Sequence, residues 1–380
     1  MNINWQTINT NFNGETCFTH ARGLICENGF GLITTQPLRL SGSDVFYGMH
    51  ITTTHDGGKT WSELVPSNTV VRHAFGENMQ AAMSDATPMY HKKTGKIILI
   101  GHYVIYLNDE LLPPPRPRFT TYAVYDEKTG DFSPLKFVEM PQDENESHFS
   151  SGNGCGQSWE LENGDLLIPI SHMCKADAKD PWHKSYNTSA MRCSFDGETI
   201  KFLEIGNNLT VDVPRGLGEG SIMYHNGEYF MSLRNDKDGY VTKGFDGLHY
   251  ADPKPLVFDD GCSVGNYCTQ QHWITGGGKL YLVYTRRGAD NDHVFRHRAP
   301  LFIAEFDTEK MCVIRETEQI AVPNRGARLG NFGCMSCADG KTAYIFASEW
   351  MQTTGPDPFD WRVCASYGSD NSIFISKITF

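Results

Sequence analysis

The sequence lacks long hydrophobic runs, an excess of positive charge and the basic and apolar regions of a secretory signal. None of its 380 residues belongs to an apolar stretch of the roughly 20 residues that a transmembrane helix needs, so no membrane partner is expected. Lys and Arg number 33 against 45 Asp and Glu, a net charge of −12, which argues against nucleic acid as a partner. The sequence predicts a cytoplasmic protein, or a secreted or periplasmic one whose signal has been removed.

The cysteines form no regular framework. There are 11 of them, an odd number at scattered spacings, which favours reduced, buried thiols over disulfides. Cys334 and Cys337 form one close pair, but no further zinc ligands follow nearby in the sequence. We therefore expect no cofactor and no metal site. The alternative is a structural cation held by the loop that contains Asp290, Asp292 and His293.

Turn-forming residues are abundant instead, and they punctuate a repeat. The 37 Gly and 18 Pro are spread over the whole chain, as in a fold of many short strands. Asn163-Gly164, Asn226-Gly227 and Asp339-Gly340 each separate two apolar runs, the strongest short signal for a β-hairpin. Apolar second strands recur in six units, at 31–34, 97–100, 166–169, 229–232, 280–284 and 343–346.

This repeat predicts an all-β fold, a six-bladed β-propeller that occupies residues 1–380 as a single domain. Seven blades are the alternative, if one degenerate unit is present. The last unit ends in the apolar run 373–376, and we expect an N-terminal strand near Trp5 to complete that blade. Such a closure removes the exposed edges that an open sheet would leave.

One motif is specific. Residues 54–61, Thr-His-Asp-Gly-Gly-Lys-Thr-Trp, resemble the Asp-box (BNR repeat) of sialidase-like β-propellers, with degenerate copies around Asp196 and Asp246. Its aspartate is expected to bind backbone N–H groups in the turn between third and fourth strands, while Trp61 packs into the blade. These aspartates are therefore interpreted as structural residues.

The resemblance to the sialidase superfamily extends through the repeat to nearly the whole chain. Glu219-Gly220-Ser221, followed by Arg234, is similar to the stretch that carries a catalytic Glu and a carboxylate-binding Arg in sialidases. His20 stands where sialidases have the first Arg of Arg-Ile-Pro, and Asn331 stands near the place of the nucleophilic Tyr. These two departures count against sialidase chemistry itself.

The chain also resembles relatives of that superfamily, the propeller α-L-rhamnosidases and the ulvan-type or rhamnose-glucuronate lyases. Those enzymes use histidines, a tyrosine and an arginine at the propeller mouth. The resemblance implies such roles for His20, His102, His172 and Arg192.

Polar and ionisable residues recur where first strands begin and second strands end, positions that gather at one end of a propeller. The longest loops, 107–118, 173–188, 287–298 and 351–370, follow second strands and reach the same end. The catalytic candidates are His20, His102, His172 and Glu219. The substrate-binding candidates are Arg192, Arg234, Arg286, His272, Arg328, Tyr103 and Trp350.

These residues predict a carbohydrate-active enzyme that cleaves an acidic, uronate-type glycan, by elimination or by hydrolysis. In elimination an Arg neutralises the uronate carboxylate and a His removes the adjacent proton. In hydrolysis Glu219 pairs with Asp44 or Glu349, or His20 is the acid/base. An exo-sialidase-like hydrolase and a non-catalytic glycan- or protein-binding propeller are the alternatives.

Overall fold

The computed structural model describes residues 1–41, 44–266 and 268–380. Within these residues the chain forms six β-sheets, which we number I to VI, and very little helix. The prediction of an all-β propeller is confirmed. No helix in the described part of the chain is long and apolar enough to cross a membrane.

The first strand of the chain, β1 (Asn2–Ile8), joins the last sheet. Sheet I consists of β2 (Thr16–Ile25), β3 (Gly31–Arg39), β4 (His50–Thr54) and β5 (Val65–Pro66). Sheet II consists of β6 (His73–Gly76), β7 (Met79–His91), β8 (Lys96–Leu107), β9 (Glu110–Leu111), β10 (Phe119–Asp126), β11 (Asp131–Phe132) and β12 (Lys136–Phe137). Sheet III consists of β13 (Ser150–Gly152), β14 (Trp159–Glu160), β15 (Leu166–Met173), β16 (Ser185–Phe195), β17 (Ile200–Ile205) and β18 (Arg215–Gly216).

The second half of the chain is built in the same way. Sheet IV consists of β19 (Gly218–His225), β20 (Glu228–Arg234), β21 (Gly239–Gly244) and β22 (Lys254–Pro255). Sheet V consists of β23 (His272–Gly276), β24 (Lys279–Tyr284), β25 (Leu301–Asp307), β26 (Cys312–Val313) and β27 (Gln319–Val322). Sheet VI consists of β28 (Gly333–Ser336), β29 (Thr342–Ser348), β30 (Ile373–Thr379) and β1. The helical elements are α1 (Trp361–Ser366) and the 3₁₀ turns Asp177–Lys179, Phe295–His297 and Arg315–Thr317.

The sheets form a closed ring because each packs against the next and sheet VI packs against sheet I. A separate apolar core fills each of the six spaces between neighbouring sheets. Second strands are therefore buried on both faces. In β8, Ile97 and Leu99 face sheet I, whereas Ile98 and Ile100 face sheet III. This explains why second strands read as continuous apolar runs rather than as alternating ones.

Strand β1 closes the ring, as the sequence predicted. It pairs antiparallel with β30, and Trp5 lies opposite Ser376. A second tie between the last and first sheets is made by Asn371, just before β30. Its side chain accepts a hydrogen bond from the backbone N–H of Phe18 (2.8 Å) and donates one to the Phe18 carbonyl (2.8 Å), as a neighbouring strand would.

The turn around Asp56 has the predicted geometry. Oδ1 of Asp56 accepts hydrogen bonds from the backbone N–H groups of Lys59 (2.9 Å) and Thr60 (3.0 Å), and Trp61 packs against the core between sheets I and VI. Asp196 and Asp246 accept backbone N–H groups in the corresponding turns of sheets III and IV. These contacts stabilise turns at the end of the ring opposite the strand ends that carry the candidate site.

Candidate functional site

Left-handed backbone positions mark the mouth, the end of the ring at which first strands begin. Six non-glycine residues there have a positive φ, one for each sheet: His20 (58°), Asp85 (53°), Cys155 (59°), Glu219 (50°), Cys268 (55°) and Asn331 (64°). Such a conformation costs on the order of 1 kcal/mol or more per residue, and it concentrates at functional sites. Its recurrence at one level of the ring singles out these positions as candidates for a functional site.

In three of these sheets the cause is a β-bulge in the first strand. Pairing breaks between Thr19 and Arg22 in β2, and equivalent breaks surround Asp85 in β7 and Glu219 in β19. A bulge re-aims the side chain of the extra residue. Each break therefore presents one polar side chain, His20, Asp85 or Glu219, at the mouth.

Asp85 is the hub of the first cluster and contacts two histidines. Its Oδ1 lies 2.9 Å from Nδ1 of His20, and its Oδ2 lies 3.5 Å from Nε2 of His102. The amide of Asn331 donates to Nε2 of His20 (2.8 Å), which leaves the ring proton of a neutral His20 on Nδ1, facing the carboxylate. Both rings are buried, while the Asp85 side chain is 14% exposed.

Three further groups hold the same carboxylate. The Cys155 thiol donates to Oδ1 of Asp85 (3.0 Å), the Asn331 amide donates to the same oxygen (3.1 Å), and a guanidinium nitrogen of Arg22 lies 3.6 Å away. Arg22 in turn donates to Sγ of Cys155 (3.1 Å). Residues from sheets I, II, III and VI thus converge on Asp85.

The environment sets the protonation of this cluster. Burial alone would raise the Asp85 pKa, but contacts with His20, His102 and Arg22 outweigh it and hold the pKa well below its usual range. Burial lowers the pKa of His20, and burial together with the nearby Arg118 lowers the pKa of His102 to about 4. At neutral pH the site therefore holds an ionised carboxylate between two neutral imidazoles. Burial, with Asp85 and Glu219 nearby, raises the Cys155 pKa well above its usual range, so this thiol stays protonated.

The second cluster lines a groove of about 50 Å³ beside the first. Arg234, at the end of β20, donates to Glu219 and lies 3.6 Å from Asp236, which pairs with Arg215 at 3.2 Å. The groove is lined by Arg118, Ser171, Tyr186, Arg215, Gly216, Gly218, Glu219, Arg234, Asn235 and Asp236. One carboxylate oxygen of Glu219, Oε2, is buried without a hydrogen-bond partner in the structure.

Two buried arginines adjoin both clusters. Arg298 and Arg328 are each 2% exposed, and neither forms an ion pair within the described ranges. Arg298 donates to the amide oxygen of Asn331 (3.4 Å), which joins it to Asp85 through one side chain, and Arg328 lies 3.2 Å from the ring centre of Trp350. Burial lowers the pKa of Arg298 to about 10 and that of Arg328 well below its usual range. Buried charge without a counter-ion is costly, so these two guanidinium groups are candidates for binding an anion.

Several sequence-predicted residues meet here. His20 and His102 contact Asp85, Glu219 and Arg234 form the groove, and Arg328 stacks on Trp350, which also packs against His20. A seventh candidate, His272, lies on the inner strand β23 but bonds to protein through both ring nitrogens. These bonds join it to the Ser221 hydroxyl (2.7 Å) and the Phe332 carbonyl (3.0 Å).

His172 and Tyr103 do not join the cluster. Each follows a residue that does face the site, Ser171 in β15 and His102 in β8, and neighbours along a strand point to opposite faces of the sheet. His172 bonds to the Ser189 hydroxyl (3.1 Å) instead, and the Tyr103 hydroxyl bonds to His73 (2.7 Å).

Arg192 and Arg286 are engaged elsewhere. Arg192 lies in the middle of the third strand, β16, and its ion pairs are with Glu204 (2.6 Å) and Asp165 (3.5 Å). Third strands begin at the mouth rather than end there, so this position lies several residues below it. Arg286 makes two bonds to Glu318, of 2.9 and 2.6 Å.

The carboxylate partners expected for a hydrolase also differ from the sequence interpretation. Glu349 is buried, and both of its oxygens accept hydrogen bonds of 2.8 Å from Arg325. Asp44 is exposed at the mouth, where its charge acts on His20, His102 and Arg328.

The sequence places Asp85 among the polar residues at which first strands begin, but the interpretation named neither it nor Cys155 nor Arg298 as a site residue. A signal for Cys155 was the alternation Gly152-Asn-Gly-Cys-Gly156, because a Cβ at Gly154 would collide with the His102 ring. No cluster of three or more metal-binding side chains occurs among the residues that the structure describes. In the loop proposed for a cation, His293 stacks on Tyr367 with ring centres 4.3 Å apart.

No protein-family model matches the sequence, and no curated protein matches it. Among solved structures, a protein of unknown function from Dyadobacter fermentans is similar over 100% of this chain and 99% of its own, with 13% identity and a TM-score of 0.67. Trypanosoma rangeli sialidase is similar at 12% identity and a TM-score of 0.60, over 98% of this chain and 57% of its own. The Hadza microbial sialidase Hz136 is similar at 13% identity and a TM-score of 0.62, over 96% of this chain and 66% of its own. This chain therefore spans about three fifths of the two sialidases. At these identities the likeness shows the fold: the chain is a sialidase-like β-propeller.

Proposed function

We propose that this protein is an enzyme that cleaves a glycosidic bond beside an acidic sugar, at the mouth of a six-bladed propeller in which each sheet is one blade. The observation that carries the proposal is Asp85, an ionised carboxylate between two neutral histidines, joined through Asn331 to the buried cation Arg298. The proposed base, Asp85, and the proposed anion-binding residue, Arg298, are thus separated by the side chain of Asn331 alone. The sialidase neighbours, which by name act on acidic sugars, support the same class of substrate.

Arg298 and Arg234 would bind the acidic group. Arg298 is 2% exposed and has no carboxylate partner within the described ranges. Arg234 lies within electrostatic range of it and lines the groove beside Glu219. A guanidinium presents two parallel N–H groups to a carboxylate, and such a pair is strongest where water is excluded. A sugar carboxylate seated here would also supply the negative charge that Arg298 lacks.

Elimination is the route that the protonation states favour. Asp85 or a neutral histidine beside it removes the proton α to the uronate carboxylate, and the arginines stabilise the charge that develops on that group. The electron pair of the C–H bond forms the C4=C5 double bond while the C4–O bond breaks. The leaving oxygen takes a proton from water and the base later releases its proton to solvent, so the products are an unsaturated uronate and a free hydroxyl group.

Hydrolysis is the second candidate, and Glu219 favours it. This carboxylate is held by Arg234, and its Oε2 is buried without a hydrogen-bond partner in the structure. A carboxylate fixed in this way can act as a nucleophile or activate a water molecule. Hydrolysis adds water across the glycosidic bond and forms no double bond.

The deciding experiment incubates the purified protein with a panel of uronate polysaccharides and with sialyl-lactose. Ultraviolet absorbance reports unsaturated uronate, and released sugar is assayed in parallel. Rising absorbance that is lost in Asp85→Asn supports elimination. Released sugar without absorbance, lost in Glu219→Gln, supports hydrolysis. If both assays stay silent, cleavage is refuted and the protein is a glycan- or protein-binding propeller.

A further inference from the structure

A second patch of positive charge adjoins the groove on the side of sheets II and III. Arg116 and Arg118, in the loop that follows β9, lie within electrostatic range of each other, and Arg116 lies within range of Arg215. Arg118 lines the same groove as Arg215 and Arg234, and its charge acts on His102. The cationic surface therefore continues from the first anion site outward along one groove.

The arginines of this patch outnumber the carboxylates near them, which are Glu219, Asp236 and the exposed Asp44, whose charge acts on Arg116. Arg116 and Arg118 are both half-buried, and in the described part of the chain neither forms an ion pair with a carboxylate. The carboxylate nearest Arg215 is Asp236, which is already shared with Arg234. Like charges held together in a partly buried place destabilise the free protein, and an anion would relieve that repulsion. The arrangement is unexpected in a chain whose net charge is −12.

An exposed aromatic ring stands at the outer end of the patch. Trp182 is 57% exposed, and the guanidinium of Arg215 lies 4.7 Å from its ring centre. Large aromatic side chains left open beside polar groups are typical of binding surfaces, and a sugar ring can stack on such an indole. Neither the fold nor the first anion site requires this tryptophan.

We infer that Arg116, Arg118 and Arg215, with Trp182, form a second anion-binding subsite. The substrate that fits both subsites carries acidic groups on two neighbouring sugars. This inference rests on the proposed function and narrows its substrate to polyacidic glycans rather than glycans with one terminal acid. The first acid binds at Arg234 and Arg298, and the second lies against Arg118 and Arg215 while its ring stacks on Trp182.

The test compares binding of a uronate monosaccharide with binding of its own disaccharide, for a panel of linkages, by calorimetric titration. The wild-type protein should bind at least one disaccharide about tenfold more tightly than its monomer, as one or two charge-assisted bonds would provide. The double variant Arg116→Gln/Arg118→Gln and the variant Trp182→Ala should each lose that gain. The single variants Arg116→Gln and Trp182→Ala should keep the wild-type affinity for the monomer. Lys310→Gln, which removes one positive charge from an exposed turn far from the mouth, is the matched control.

The outcomes separate the subsite from the proposed function. If no disaccharide binds more tightly than its monomer, or if the arginine variants keep the full gain, the second subsite is refuted even where glycan cleavage is observed. If an acidic peptide binds through Arg116 and Arg118 while every disaccharide fails, the patch is a protein-docking surface and the inference is wrong. Cleavage assays on singly acidic substrates test the proposed function separately, because they do not need the second subsite.

Discussion

Asp85 concentrates opposing effects in one side chain. Burial disfavours its charge, yet two histidines, a thiol, an amide and an arginine surround it, so the carboxylate stays ionised. An amide in its place keeps the size of the side chain but removes the negative charge and the base. The Asp85→Asn variant should therefore fold normally and lose at least about 100-fold in kcat on any substrate found in the panel.

Steady-state kinetics and a thermal melt check this prediction together. Asp196→Asn is the matched control, because Asp196 accepts backbone hydrogen bonds in an exposed turn and should leave kcat unchanged. Wild-type kcat in Asp85→Asn would show that Asp85 is a structural residue.

Cys155 is a positioning residue in this scheme. Its thiol donates to Asp85 and accepts from Arg22, so Cys155→Ala removes a donor that stabilises the ionised carboxylate. The Asp85 pKa should rise, and the acid limb of the pH–rate profile should move to higher pH. Cys155→Ser retains a hydroxyl donor and should stay close to the wild type. Two identical profiles for Ala and Ser would contradict the role.

At the scale of elements, the Asn371 side chain links sheets VI and I through hydrogen bonds to backbone groups, as a paired strand would. Its side chain bonds to both backbone groups of Phe18, to the Glu349 carbonyl (2.6 Å) and to the Thr10 hydroxyl (3.0 Å), and its φ is 63°. Alanine would lose these bonds and is less tolerant of the left-handed backbone. Asn371→Ala should lower the free energy of unfolding by about 3 kcal/mol.

Chemical denaturation measures this change. Asn145→Ala is the control, since Asn145 lies in an exposed loop where truncation should have little effect. An unchanged denaturation midpoint in Asn371→Ala would mean that pairing of β1 with β30 alone holds the ring closed.

Local signals made the elements predictable, and the lack of such signals limited the site. Asn226-Gly227 and Asp339-Gly340 each predict a hairpin from adjacent residues alone, and the structure contains both hairpins. Asp85, however, meets Asn331 across 246 positions of the chain, and no pattern within a window of sequence reports such a contact. His172 was limited by strand register instead. The sequence predicted its place at a strand end, but a shift of one residue in register decides which face of the sheet its side chain lies on.

At the scale of the whole molecule, buried neutral histidines make the ring sensitive to acid. Burial lowers the pKa of His102 and His172 to about 4 and that of His272 to about 3. In the unfolded chain these groups titrate near their ordinary 6.5, so between that pH and about 4 the unfolded state binds more protons. Stability should therefore fall as pH drops from 6.5 towards 4, by roughly 3 kcal/mol for each such histidine.

Thermal midpoints at several pH values test this slope. His172→Asn removes one of the titrating groups and should flatten the dependence, whatever its effect at neutral pH. His183→Asn is the control, because His183 is exposed. Equal slopes in the wild type and His172→Asn would exclude this histidine as a source of acid sensitivity.

The pairing of β1 with β30 also orders events during synthesis. Residues 2–8 are synthesised hundreds of residues before their partner strand, residues 373–379. Until then the exposed backbone edge of β29 has no neighbour, and sheet I lacks the surface of sheet VI that covers Ala21 and Ile33. A nascent chain with five completed sheets is therefore an open ring. One end exposes the unpaired backbone edge of β29, and the other exposes the apolar face of sheet I. A chaperone that shields such edges would act on this protein before residues 373–379 are available to pair, and ring closure would release it.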